Sequence, residues 1–227
     1  MTDSHEPARL MVWDLPLRAF HWALAVLFGA MWWTAEEGML DLHRTAGYSV
    51  MALLLFRIIW GFAGSSTARF GSFVRGPRSV ASYVRHEMLL RGGAPKFGHN
   101  PLGGWSVVAM LMLLMIQCLL GLFSVDVDGL ESGPFSYLVE FDTGRLAAEL
   151  HQIVFDALLV IVALHILAVI FHMAWRRQNL IRPMISGYFP WSSEEPGMAR
   201  QPLRFGFAIL AGSGLAVFAV VELFGRA

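Results

Sequence analysis

The stretch ELHQIVFDALLVIVALHILAVIFH, Glu149 to His172, decides the fold. From Ile153 to Trp175 the chain is apolar almost without a break, which meets the requirement of about 20 residues for a helix to cross hydrocarbon. The same segment carries His151, His165 and His172. Ionisable groups are costly at membrane depth, so each is a candidate functional group. His165 follows His151 by fourteen positions, which at 3.6 residues per turn and about 1.5 Å rise is almost four turns and about 21 Å. The two imidazoles share one helix face and lie near opposite leaflets.

Working outward, three more segments reach spanning length, Leu17 to Ala35, Thr45 to Ala63 and Leu102 to Val125. A fifth, Phe205 to Val221, is shorter but free of charge. Hydrophobic residues at 56%, charged ones at 15% and a mean hydropathy of +0.55 agree with an all-α integral membrane protein surrounded by lipid. Seventeen basic residues balance seventeen acidic ones, and the single Lys is Lys96, so nothing points to nucleic acid. The lone Cys118 excludes an internal disulfide, a thiolate cluster and c-type haem attachment; it reads as a small core hydrophobe.

Charge orients the spans. Arg69, Arg75, Arg78, Arg85, Arg91 and Lys96 face one acid, Glu87, in the second connection, whereas Asp126, Asp128, Glu131, Glu140 and Asp142 face Arg145 in the next. The positive-inside rule makes the first cytoplasmic, and Arg176, Arg177, Arg182, Arg200 and Arg204 agree. The expected topology has the N-terminus inside and the C-terminus outside, which for a bacterial inner membrane is cytoplasmic and periplasmic. The polar start lacks a basic n-region and a cleavage site, so the first span is expected to be retained.

Depth sorts the histidines into two levels. His43, at the mouth of the second span, is level with His151; His21, in the first, is roughly level with His165. His5, His86 and His99 fall outside the spans and read as solvated loop residues. His172, seven residues beyond His165, is either an interfacial residue or a substitute for it. Two imidazoles facing each other across a gap in lipid suit the two axial positions of haem. A structural zinc ion wants four close ligands, and neither level offers them. Arg57 lies fourteen residues after His43, at the deeper level, where a buried guanidinium calls for an anion such as a haem propionate or else snorkels to the surface. Gly47 and Gly61 follow His43 and Arg57 by four positions each and could admit a macrocycle, or serve helix packing. Arg18 is read as an inner-surface residue or a contact for a quinone head group or propionate.

The stretches VWDLPLRAFHW (Val12 to Trp22), LHRTAGYSVMALLLFRIIWGFAG (Leu42 to Gly64), GHNPLGGW (Gly98 to Trp105) and Glu149 to His172 resemble the bacterial cytochrome b561 family, itself similar to the b-type cytochrome subunits of nickel-iron hydrogenases. The resemblance covers roughly residues 11 to 187. It implies a four-helix transmembrane di-haem bundle, with His21 and His165 on the cytoplasmic-side haem b and His43 and His151 on the periplasmic-side one. Residues 1–187 would form that domain, and 188–227 a linker and a fifth, C-terminal transmembrane helix, which would hold a partner subunit or face lipid. The expected function is single-electron transfer across the bacterial inner membrane between the quinone pool and a redox partner, a c-type cytochrome, hydrogenase or dehydrogenase subunit. Two alternatives stand beside it: a superoxide:ubiquinone oxidoreductase, and a haem-free membrane anchor or metal-ion permease subunit using the histidines as a cation path.

Overall fold

Helix formation starts before the apolar run in every span, whereas the third spanning helix stops at Phe123, two residues short of the expected end at Val125. The computed structural model describes residues 8–90, 98–127, 131–191 and 198–225. In chain order these form β1 (Ala8–Met11), α1 (Leu15–Glu36), α2 (Leu40–Ala63), α3 (Phe70–Phe73), α4 (Pro77–His86), α5 (Pro101–Phe123), α6 (Phe141–Ala174), α7 (Ile181–Ser186), β2 (Tyr188–Trp191) and α8 (Leu203–Phe224). Helices α1, α2, α5, α6 and α8 are long and apolar enough to cross a membrane.

Helix α6 corrects the expected boundary. It starts at Phe141, well before the apolar run at Ile153. Its 34 residues span about 51 Å, against about 30 Å of hydrocarbon. The excess includes Asp142, Arg145 and Glu149, charged residues that hydropathy rejects and a helix outside lipid tolerates. Two other starts are capped by side chains. Asp14 Oδ1 accepts the Leu17 amide at 2.9 Å, and Asn100 Oδ1 accepts the Gly103 amide at 2.7 Å, with Pro16 and Pro101 in the first turns.

Packing leaves an opening inside the bundle. Helix α5 lies along α6, while α1 and α8 lie along α2. Helix α6 makes no comparable backbone contact with α1 or α2 among the described residues. Side chains close the middle, where Val50, Leu54, Leu114 and Leu158 form one buried cluster. A second cluster, including Trp13, Phe20, Phe56 and Trp60, closes one end. Trp60 is wholly buried, and its Nε1–H donates to Asp14 Oδ2 at 3.1 Å, joining α2 to the cap of α1.

That end also holds the basic connections and is called the basic end below. There β1 pairs antiparallel with β2, Ala8 opposite Trp191 and Met11 opposite Tyr188. Gly187, at φ +88°, makes the turn into β2, and its carbonyl accepts the amides of Val12 at 2.8 Å and Trp13 at 3.2 Å. A side chain there would also meet the Trp13 carbonyl at 2.9 Å. Arg176 donates to the carbonyls of Glu87 and Met88, and the Trp175 indole to that of Leu89, so the segment after α4 is tied to the end of α6. The opposite, acidic end holds the α1–α2 turn and the α5–α6 connection.

Candidate functional site

At the acidic end, α2 and α6 bring the rings of His43 and His151 together, edge to face, across the opening. Their ring centroids are 6.2 Å apart with planes at 69°. His43 Nδ1–H donates to the Met31 carbonyl at 3.0 Å, and His151 Nδ1–H donates to the Gln117 carbonyl at 3.0 Å. A carbonyl only accepts, so both rings carry the proton on Nδ1, and each Nε2 lone pair is left for another partner. Two metal–nitrogen bonds of about 2.0 Å, each with about 1.2 Å from nitrogen to ring centre, give about 6.4 Å between centroids. The observed separation is close to what one metal ion shared by the two rings would require.

The surroundings suit an apolar macrocycle. A cavity of about 280 Å³ opens between these histidines, with Leu24, Phe28, Val50, Leu114, Phe155 and Leu158 among its walls. Thr34, 1% exposed, donates its hydroxyl to the Ala30 carbonyl at 2.8 Å and places Oγ1 3.4 Å from His43 Nδ1. Gly47 leaves room, since a Cβ there would touch only Met31 Cε, at 3.6 Å. Gly121 of α5 clears the ring of His151, because a Cβ at that position would lie 3.0 Å from Cε1 and 3.3 Å from Nδ1. Cys118 lines the same cavity. Arg44 is committed to Asp41 at 2.5 Å and Glu131 at 3.6 Å, so it offers little uncompensated charge to an approaching anion.

At the basic end His21 and His165 lie within electrostatic range of each other, and His21 Nδ1 is buried without a hydrogen-bond partner. Arg57 does not snorkel. It is 1% exposed, its Nη1 and Nη2 are buried and unpartnered, and its guanidinium sits 4.8 Å from the centre of the Phe70 ring. The carboxylate acting on it is Asp14, ahead of α1, rather than any acid within a span. Gly61 is filled by Phe70: a Cβ there would meet Cε2 of that ring at 2.0 Å.

His99 departs from the expectation of a solvated loop residue. Its ring lies between Trp13, 4.7 Å away, and Phe73, 4.6 Å away, and its Nδ1 is buried without a partner. Burial first, then the neighbouring Arg57, His165 and His21, pull its pKa down to about 3. His86, on α4, is exposed as expected, and His5 lies outside the described residues. His172 donates Nδ1–H to the Ala168 carbonyl at 2.9 Å and turns Nε2 toward the Tyr83 hydroxyl and the Asn100 amide nitrogen, each at 3.4 Å. Arg18 donates to the Ile185 carbonyl, tying α1 to α7.

Hydropathy carried no signal for the burial of His99, because distant segments bury it; its place in the GHNPLGGW stretch is the one local sign. Gly121 had only a faint one, a glycine in a Leu-rich span. Among the described residues no group of three or more His, Cys, Asp or Glu side chains gathers as a site for a bare metal ion. The sequence profile of the family described as prokaryotic cytochrome b561 matches residues 12–187. No curated protein and no solved structure matches the chain.

Proposed function

Because the chain belongs to the prokaryotic cytochrome b561 family, and is thus a multi-pass membrane b-type cytochrome of electron transfer, we propose that it holds two b haems in one bundle. His43 and His151 ligate the haem at the acidic end, and His21 and His165 the haem at the basic end, where Arg57 faces a propionate. Gly47 gives the first macrocycle room against α2, whereas Gly61 serves packing against Phe70. The observation that carries this reading is the His43–His151 pair, with both Nδ1 atoms tied to carbonyls and a centroid separation close to what one shared metal would require.

Bound haem iron supplies a one-electron ferric/ferrous couple. The chain's residues do the rest. His21, His43, His151 and His165 would hold the two haems as paired imidazole ligands, which would leave no position open to oxygen and favour outer-sphere transfer. Met31 and Gln117 hold the ligand rings in orientation through their carbonyls. The apolar walls exclude water and, with Arg57, set the electrostatic environment. Fourteen residues of α6 separate the two levels by about 21 Å.

The chain carries single electrons across a bacterial inner membrane between the quinone pool and a redox partner protein, such as a c-type cytochrome, hydrogenase or dehydrogenase subunit. Its N-terminus is cytoplasmic and its C-terminus periplasmic, which the concentration of arginines at the basic end supports. Residues 1–187 form the haem-binding unit and 188–227 an added helix, a division supported by the end of the family match at residue 187. Reduced-minus-oxidised spectra of variants test the pairing. His43→Ala and His151→Ala are expected to remove the same haem and spare the other, and His21→Ala and His165→Ala the reverse. Loss of different haems within a pair would refute it.

A further inference from the structure

Two buried nitrogen groups at the basic end have no hydrogen-bond partner. Arg57 has both terminal nitrogens unpartnered at 1% exposure, although a guanidinium can only donate. Leaving such a group unpaired in the interior is costly. Its surroundings are the rings of Phe70 and Phe73, at 4.8 and 6.0 Å. Asp14, the carboxylate that acts on it electrostatically, already accepts from the Leu17 amide and the Trp60 indole, one on each oxygen. His99 is the second group: its buried Nδ1 is also unpartnered, its ring is held between Trp13 and Phe73, and in the Nδ1–H tautomer it is a donor. Arg57 acts on His99 electrostatically, yet the two form no hydrogen bond, so neither satisfies the other.

We propose that Arg57 and His99 together form a carboxylate-binding clamp, and that its occupant is a propionate of the haem held between His21 and His165. A carboxylate offers two oxygens and about four lone pairs, enough for a forked guanidinium on one side and an imidazole N–H on the other. Both groups lie against the Phe73 ring, Arg57 at 6.0 Å and His99 at 4.6 Å, and Arg57 stands fourteen residues along α2 from His43, the helical distance that also separates His151 from His165. The two aromatic rings fix the imidazole plane, so Nδ1–H is presented rather than searched for. The proposal rests on the two-haem reading and assigns to it a residue outside the spans.

The test is potentiometric titration of the purified haem-loaded protein, with resonance Raman spectra in the propionate-bending region. Removing either donor leaves the propionate charge less compensated and favours ferric iron. His99→Leu and Arg57→Gln are therefore expected to lower the midpoint potential of the His21/His165 haem, shift its propionate band, and leave the other haem unmoved. His99→Asn, which restores a donor near the Nδ1 position, is expected to return the potential toward wild type. If the two deletions cost the haem outright, His99→Asn and Arg57→Lys decide: a retained haem with an intermediate potential supports the clamp, and a haem lost in both overturns it. Two haems with unchanged potentials and bands in every variant overturn the clamp while leaving the two-haem reading intact. Fewer than two haems in the wild-type protein sinks that reading instead. A wild-type potential that moves on adding acetate would assign the clamp to a free carboxylate and overturn the propionate assignment.

Discussion

Gly121 offers a perturbation whose size can be worked from distances. A Cβ added there would lie 3.0 Å from His151 Cε1 and 3.3 Å from Nδ1. Ordinary carbon contacts are about 3.5–4.0 Å, so the ring must retreat by about 0.5 Å for alanine and by more for a branched side chain. Such a movement stretches the 3.0 Å bond from Nδ1–H to the Gln117 carbonyl toward the limit of a hydrogen bond. For Gly121→Ala, overpacking of about 1–3 kcal/mol is partly offset by about 1 kcal/mol of helix propensity, so the fold survives. For Gly121→Val the offset shrinks and the ligand is displaced. Loss of an outer partner to a ligating histidine lowers metal affinity by about 10–100-fold. Purified Gly121→Ala is expected to keep both haems, with an altered low-spin electron paramagnetic resonance signal for one of them. Gly121→Val is expected to express in the membrane but lose the His43/His151 haem selectively. Wild-type spectra and potentials for both haems in Gly121→Val would refute this reasoning.

At the basic end, Gly61→Ala should lower the thermal stability of the protein in detergent, because Cβ meets Phe70 at 2.0 Å; Phe70→Ala in the same chain should recover part of the loss, and no recovery would place the strain elsewhere. Trp60→Phe removes the indole donor to Asp14 and part of a wholly buried side chain, so a loss of about 1–3 kcal/mol, read as a lower unfolding temperature, is expected; an unchanged temperature would show that the α1 cap does not depend on it. With Arg44 held by Asp41 and Glu131, quinol should reduce the haems faster than superoxide does in stopped-flow mixing, and the opposite order would favour superoxide oxidation.

What the sequence makes legible is what helix periodicity and hydropathy encode locally. The expected levels of His21, His43, His151, His165 and Arg57 follow from counting along single helices, and of these the rings of His43 and His151 meet 6.2 Å apart. Helix starts were less legible. The α6 segment from Phe141 to Gln152 is charged, so hydropathy stops at the lipid boundary while the backbone hydrogen bonds continue. The pairing of β1 with β2 had no local signal, since two four-residue strands lie at opposite ends of the chain and β2 contains Pro190. His99 was misread for a related reason. Its neighbours Gly98 and Asn100 read as a polar loop, and only the arrival of Trp13 and Phe73 from other segments buries it. The role of Arg57 lay between two readings until its unpartnered nitrogens and 1% exposure removed snorkelling as one of them.

Two haems in one chain is the claim on which the rest depends, and the haem-to-polypeptide ratio of the purified protein tests it most directly. Pyridine haemochrome absorbance set against quantitative amino-acid analysis, after expression with ample haem, should give two b haems per chain, both low-spin when oxidised. A ratio of one or zero, or a high-spin centre with an open axial position in the intact protein, would contradict it.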